Sequence, residues 1–221
     1  MEKKSEIIEN FKVAISSTVK SLSNLEDIEI SFGNQNHNSK KNLIQLPEPE
    51  QTKNKINYNQ IRAIADSKSL KLRLSDSKTL KLYEPKGNIS IKLYKIAEKI
   101  RCEKIGSDQF KGIKSNIANY YKERMNFLDL KNSEEKIAES FENYLRVKFF
   151  NFQNNKELEE KFKSYKKDLD KNFKTKIEEL GNLINDQEKF NNLVSSLISN
   201  MELDDDLDDK AKEEDNNKEE K

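Results

Sequence analysis

Cysteine and histidine are nearly missing from this chain. Cys102 is the only cysteine and His37 the only histidine in 221 residues. A lone cysteine excludes an internal disulfide and any cysteine-rich zinc site. A lone histidine excludes a histidine cluster for metal built from this chain alone. Five glycines and three prolines are too few for a turn-rich sandwich or barrel. No apolar run approaches the ~18–20 residues that span a bilayer. No apolar stretch follows Met1-Glu2-Lys3-Lys4, so no signal peptide is expected. Neither Gly-x-x-x-x-Gly-Lys-Ser/Thr nor Gly-x-Gly-x-x-Gly occurs, which argues against these two routes to nucleotide phosphates. Asp66-Ser67-Lys68-Ser69 approaches an Asp-x-Ser-x-Ser metal motif but has the wrong register, and reads as a polar helix face.

Charge is what the chain has in excess. Charged residues make up 37% and hydrophobic ones only 33%, against ~25% and ~45–50% in an ordinary soluble domain. With a mean hydropathy of −0.99, the core must be thin or elongated. The expectation is a soluble, mainly helical protein of a reduced compartment, the cytoplasm. The net charge of +1 conceals a skew: the stretch 202–221 carries −7 and everything before it +8. Acid blocks without aromatics stay solvated. We therefore expect a folded region over 1–201 and an acidic disordered linker or tail over 202–221.

Only five arginines stand among 36 lysines: Arg62, Arg73, Arg101, Arg124 and Arg146. Arginine is kept where a planar fork is needed and a point charge will not serve. Arg101 is expected to bond a carboxylate or helix-end carbonyls, with Glu98, three residues back on the same helix face, better placed than Glu103. Cys102 lies inside the same helix and reads as a buried structural thiol. His37 reads as an exposed loop residue.

The apolar spacing lays out the elements. Ser5–Leu22 repeats at three and four residues, with Ile7, Ile8, Phe11, Ala14, Ile15, Val19 and Leu22 as its apolar positions, and predicts an amphipathic helix. Ile28–Phe32 alternates like a short strand ending at Gly33. The stretch 33–41 reads as a loop, and Leu46–Glu50 is extended because each residue before a proline avoids the helical region. Tyr58–Leu74 predicts a helix, although Leu70, Leu72 and Leu74 also alternate. Leu80–Tyr83 is a strand candidate for a small sheet with Ile28–Phe32. Ile89–Ile105 predicts a helix closed by Gly106. Ser107 is expected to cap the next helix, to about Met125, making a tight corner.

Asn132 with Glu135 forms a capping-box pattern. The helix it opens is expected to bury Ile137, Phe141, Tyr144 and Leu145, with Phe149 a further candidate. Asn155–Leu180 reads as a long helix with one wet face, ended by Gly181. Its seven lysines between Lys161 and Lys176 interleave with aromatics, a pattern that can bind nucleic acid. Those aromatics lie on the apolar stripe, so a solvated face is the expectation. Asn185 with Glu188 is expected to cap a last helix over Phe190, Leu193, Val194, Leu197 and Ile198. The fold class is mainly α: a helical bundle with a small β element in the N-terminal third.

One constellation is more specific. Ala97-Glu98-Lys99-Ile100-Arg101-Cys102-Glu103-Lys104-Ile105-Gly106-Ser107 is followed by Gly112 and Asn116. Upstream stand Leu46-Pro47-Glu48-Pro49, Arg62, Ala65-Asp66-Ser67, Leu70, Leu72 and Asp76. In this order the chain resembles the N-terminal region of the T subunit of aerobic cobaltochelatase (CobT), over almost its whole length. It departs from the family pattern at Ala63, Ile64, Lys71 and Ser75, where Gly, His, Arg and His are usual. The family also continues past the acidic linker into a von Willebrand A domain with a magnesium site. The sequence stops at Lys221, so a fragment, a truncated product or a split subunit is expected.

The resemblance implies a helical assembly module. Its partners would be an AAA+ ATPase subunit and the large subunit that inserts cobalt into the corrin ring of hydrogenobyrinic acid a,c-diamide. ATP, magnesium and cobalt would be used by the complex, with no cofactor bound by this chain and no catalytic role for it alone. Arg62, Asp66, Ser67, Arg101, Glu103, Gly106 and Ser107 are the motif residues it marks for interaction. The residues also fit two other readings: a helical adaptor for an AAA+ ATPase with another client, and a basic RNA-binding module.

Overall fold

The computed structural model describes residues 2–33, 43–49, 51–52, 55–126, 132–154, 156–201 and 203. His37, the expected loop at 34–41 and most of the acidic tail lie outside them. Among the described residues, eight helices and four short strands follow in the order α1 (Glu2–Ser23), β1 (Glu29–Phe32), β2 (Leu43–Leu46), β3 (Gln51–Thr52), β4 (Lys55–Ile56), α2 (Tyr58–Leu74), α3 (Ser77–Leu82), α4 (Asn88–Gln109), α5 (Lys111–Asn126), α6 (Ser133–Phe150), α7 (Lys156–Asn182) and α8 (Gln187–Ser199). The mainly helical class with its small front sheet is what the apolar spacing predicts. The chain divides into two compact units, one of Met1–Ser75 with Ile105–Leu128 and one of Asp76–Lys104 with Asp129–Lys221.

In the first unit, α1 buries Phe11, Ile15, Val19 and Leu22, one stripe at helical spacing. Ile7, expected on that stripe, is 57% exposed. The buried face joins Ile28, Ile44, Leu46, Ile61 and Ala65 in one core, and the Phe11 and Tyr58 rings meet at 4.3 Å. Strand β1 is where its alternation puts it, but its partner is β2, in parallel register with Ile30 opposite Ile44 and Phe32 opposite Leu46. Gly33, at φ +76°, turns the chain there, and its N–H donates to the Leu46 carbonyl at 2.9 Å. Beyond β2, strands β3 and β4 pair antiparallel.

The expected strand Leu80–Tyr83 is instead helix α3 and its C-cap. Asp76 decides this: its carboxylate accepts from the Thr79 N–H at 2.7 Å and the Thr79 hydroxyl at 2.9 Å. That satisfies a free amide at the helix start and outweighs a four-residue alternation. The expected corner at Gly106-Ser107 is also absent. Helix α4 runs through both residues to Gln109, and Ser107 is an interior helical residue, not a cap.

The second unit holds α3, the first part of α4, α6, α7 and α8. Asn132 caps α6 as expected, accepting from the Glu135 N–H at 2.8 Å. The cap of α8 is Asp186, which accepts from the Lys189 N–H at 3.1 Å, one residue beyond the expected Asn185. Phe141, Tyr144 and Leu145 are buried on α6, and Leu158, Phe162, Leu169, Ile177 and Leu180 on α7. Ile137 is only half-buried. Gln187 ties α8 to α3: its side chain accepts from the Asp76 N–H at 2.8 Å and donates to the Asp76 carbonyl at 3.1 Å.

Tyr144 joins α6 to α7 by donating to Asp170 Oδ1 at 2.6 Å, with Lys148 Nζ 3.2 Å from the same oxygen. The tyrosine hydrogen bond, helped by Lys148, holds the Asp170 carboxyl below its usual range. A depressed carboxyl stabilises the fold above its unfolded pKa, and that stability is lost as pH falls through the folded value. Tyr144→Phe is thus expected to cost about 1 kcal/mol near neutral pH. The deficit should shrink as pH falls from about 4, the ordinary carboxyl value, through the lower folded value of Asp170. Urea titrations of both proteins across that range measure it.

Candidate interaction site and buried ion pairs

Arg101 and Glu103 stand two residues apart on α4, so they point about 200° apart around the helix. Arg101 takes both oxygens of Glu98, with Nε 2.8 Å from Oε2 and Nη2 2.9 Å from Oε1. Its Nη1 donates to the Ile184 carbonyl, in the turn between α7 and α8, at 3.1 Å. Bidentate carboxylate and helix-end carbonyl are thus both engaged by one guanidinium. Glu103 faces α6, where Arg146 Nη2 lies 2.8 Å from its Oε2 and 2.8 Å from Glu142 Oε1. Lys99 Nζ stands 3.7 Å from the same Glu142 oxygen. Three acids and three bases therefore balance. Of these, Glu98, Arg101, Glu103, Glu142 and Arg146 are each at most 4% exposed.

Charges this deep carry a large desolvation penalty, and it is offset only by close, well-directed partners. Such pairs fix which helix faces which. They offer no surface to a ligand, so this half of the motif holds the second unit together. Cys102 belongs to the same packing: it is fully buried, and burial pushes its thiol well up, away from the thiolate that a nucleophile needs. Arg101→Lys keeps the charge but replaces the fork with a point donor. It is expected to cost about 1–2 kcal/mol, read from the urea midpoint of the full chain.

Glu98 was accessible to sequence reasoning because it sits three residues before Arg101. For Glu142 and Arg146 the sequence signal is their i,i+4 spacing alone. Two of the other arginines use their planes. Arg62 lies over the Phe11 ring at 5.6 Å and Arg124 over Tyr121 at 5.3 Å, both within cation–π reach.

The remaining motif residues lie in the first unit. Arg62, Asp66 and Ser67 are on α2, and Gly106 and Ser107 are near the end of α4. Arg62 is exposed, Ser67 half-buried, and Asp66 and Ser107 buried. Gly106 is where α4 meets Leu70 of α2: a Cβ there would overlap both Leu70 methyls. Ser107 Oγ has no hydrogen-bond partner among the described residues, so it packs rather than caps.

Asp66 reaches a cleft. Its Oδ2 accepts from Asn116 Nδ2 of α5 at 2.8 Å. Burial raises its carboxyl pKa, while the Asn116 hydrogen bond and the Arg62 charge oppose the rise. The cleft opens between α1, α2 and α5, with Ser17, Ser21, Arg73, Phe110 and Ile113 also lining it. Among the described residues, no group of three or more His, Cys, Asp or Glu side chains is placed to hold a metal ion. No described helix is long and apolar enough to cross a membrane.

No solved structure matches this chain. A family model described as cobalamin biosynthesis protein CobT matches residues 5–221. That match takes in nearly the whole sequence, the ion-paired helices and the Asp66 cleft alike, and the chain belongs to the CobT family of cobalamin biosynthesis proteins.

Proposed function

We propose that this chain is a subunit of ATP-dependent aerobic cobaltochelatase, where it acts as a helical assembly module. In this reading an AAA+ subunit hydrolyses ATP with magnesium. A large subunit inserts cobalt into hydrogenobyrinic acid a,c-diamide, and cobalt is substrate rather than a resident cofactor. The family match over residues 5–221 carries the reading. Two features support it. The sequence has neither of the two glycine-rich phosphate loops. The motif charges of the second unit are spent on one another, as expected of a scaffold rather than of a catalytic centre.

The test is co-purification of the full chain with the AAA+ subunit of the same cell, together with ATP turnover. The chain alone should hydrolyse no ATP above a contaminant control and insert no cobalt. It should be retained by the AAA+ subunit. Turnover by the chain alone, or no retention, would overturn the reading.

A further inference from the structure

We propose that the cleft between α1, α2 and α5 is a docking site for a lysine or arginine side chain of a partner protein, with the Asp66 carboxylate as its counter-ion. Its geometry supplies the argument. Asp66 is only 5% exposed yet lines an open cleft of about 620 Å³, room for a long side chain. Its one hydrogen-bond donor among the described residues is the neutral amide of Asn116. Among the described residues no lysine or arginine forms a close ion pair with it, and the Arg62 charge opposes only part of the rise that burial imposes on its carboxyl, so its desolvation is incompletely offset. Arg62 lies over Phe11, and Arg73 shares the cleft wall, its Nη1 directed at the carbonyl of Leu22, another lining residue, at 3.5 Å.

The walls suit a cation on an aliphatic stem. Leu22 and Ile113 are apolar, and Phe110, directly after α4 ends, is 43% exposed. An exposed aromatic ring and a buried carboxylate lining one cleft match the stem and the head of a long basic side chain. A metal ion is the poorer occupant, because Asp66 is the cleft's only carboxylate.

The identity of the partner as the AAA+ subunit rests on the function proposed above; the chemistry of the cleft does not. The first arm therefore uses N-acetyl-lysine methylamide as probe, and its norleucine counterpart as a neutral control. Both are titrated into the full chain while the Asn116 side-chain amide is followed by NMR. The lysine compound should shift that signal and the norleucine compound should not. Asp66→Asn, which keeps the shape and removes the charge, should abolish the shift. Phe110→Ala, at an exposed position, should weaken it. No shift, an equal shift with norleucine, or a shift that survives Asp66→Asn overturns the proposal.

The second arm measures affinity for the AAA+ subunit, where Asp66→Asn should weaken binding about thirtyfold or more. Equal binding by wild type and Asp66→Asn would overturn the assignment of this cleft to that partner and leave the assembly reading standing. A lysine-specific shift with no AAA+ binding would do the reverse.

Discussion

Arg146→Met is expected to destabilise the protein by about 3–5 kcal/mol, a loss typical of breaking a buried ion pair from one side. Methionine keeps most of the stem volume, so the effect isolates the charge. Arg146 is 1% exposed and serves Glu103 and Glu142 together. Removing it leaves two buried carboxylates facing the same space without their shared guanidinium, with Lys99 3.7 Å from Glu142. Urea denaturation near neutral pH measures the loss. Its pH dependence is a second check. Orphaned buried carboxylates have raised pKa values, and a raised carboxyl pKa costs stability that returns as pH falls and the groups protonate. The deficit should therefore shrink toward acid pH. Adding Glu103→Gln to Arg146→Met should recover part of it, as coupled sites do. A deficit below about 1 kcal/mol, a value ordinary for a surface change, would show that the pair is not held as described.

Gly106→Ala and Gly112→Ala are expected to move stability in opposite directions. Both glycines lie inside helices, where alanine is intrinsically better by about 1 kcal/mol. At Gly112 nothing lies within 4 Å of an added Cβ, so the substitution should stabilise by about 0.5–1 kcal/mol. At Gly106 the Cβ overlaps both methyls of Leu70, which is itself 1% exposed and would have to shift within the packed core. Overpacking of this kind costs about 1–3 kcal/mol, and two methyls in a closed core place it at the upper end. Gly106→Ala with Leu70→Ala should then lose less than the two single changes combined. Equal midpoints for Gly106→Ala and Gly112→Ala would refute the close α2–α4 approach.

These two cases also mark where sequence reasoning stops. Apolar residues at three- and four-residue spacing place α1, α2, α6, α7 and α8, because helical periodicity is written locally. Asn132 and Glu135 announce their helix start for the same reason: the cap is completed within four residues. Arg101 with Glu98 is legible too, since both partners share one helix face. The Asp66 cleft was half visible: Asp66 and Asn116 both stand in the motif, fifty positions apart, but nothing local joins them.

What failed to read locally has a common cause. Leu80–Tyr83 alternates like a strand, yet four residues carry too little burial to decide, and the Asp76 cap to Thr79 settles the segment as helix. Gly106 followed by Ser107 is a helix-ending pair in most contexts. Here the glycine serves a helix–helix contact, and only the position of Leu70 reveals it. The partner of β1 is β2 rather than Leu80–Tyr83, since pairing depends on which strand the core of α1 and α2 brings alongside. The sequence by itself determined the helices other than α3, most of their wet and dry faces and the family. Tertiary structure alone decided which buried acid meets Arg146, why Gly106 has no side chain and which motif carboxylate faces a cleft, because each depends on atoms that meet only when distant segments pack.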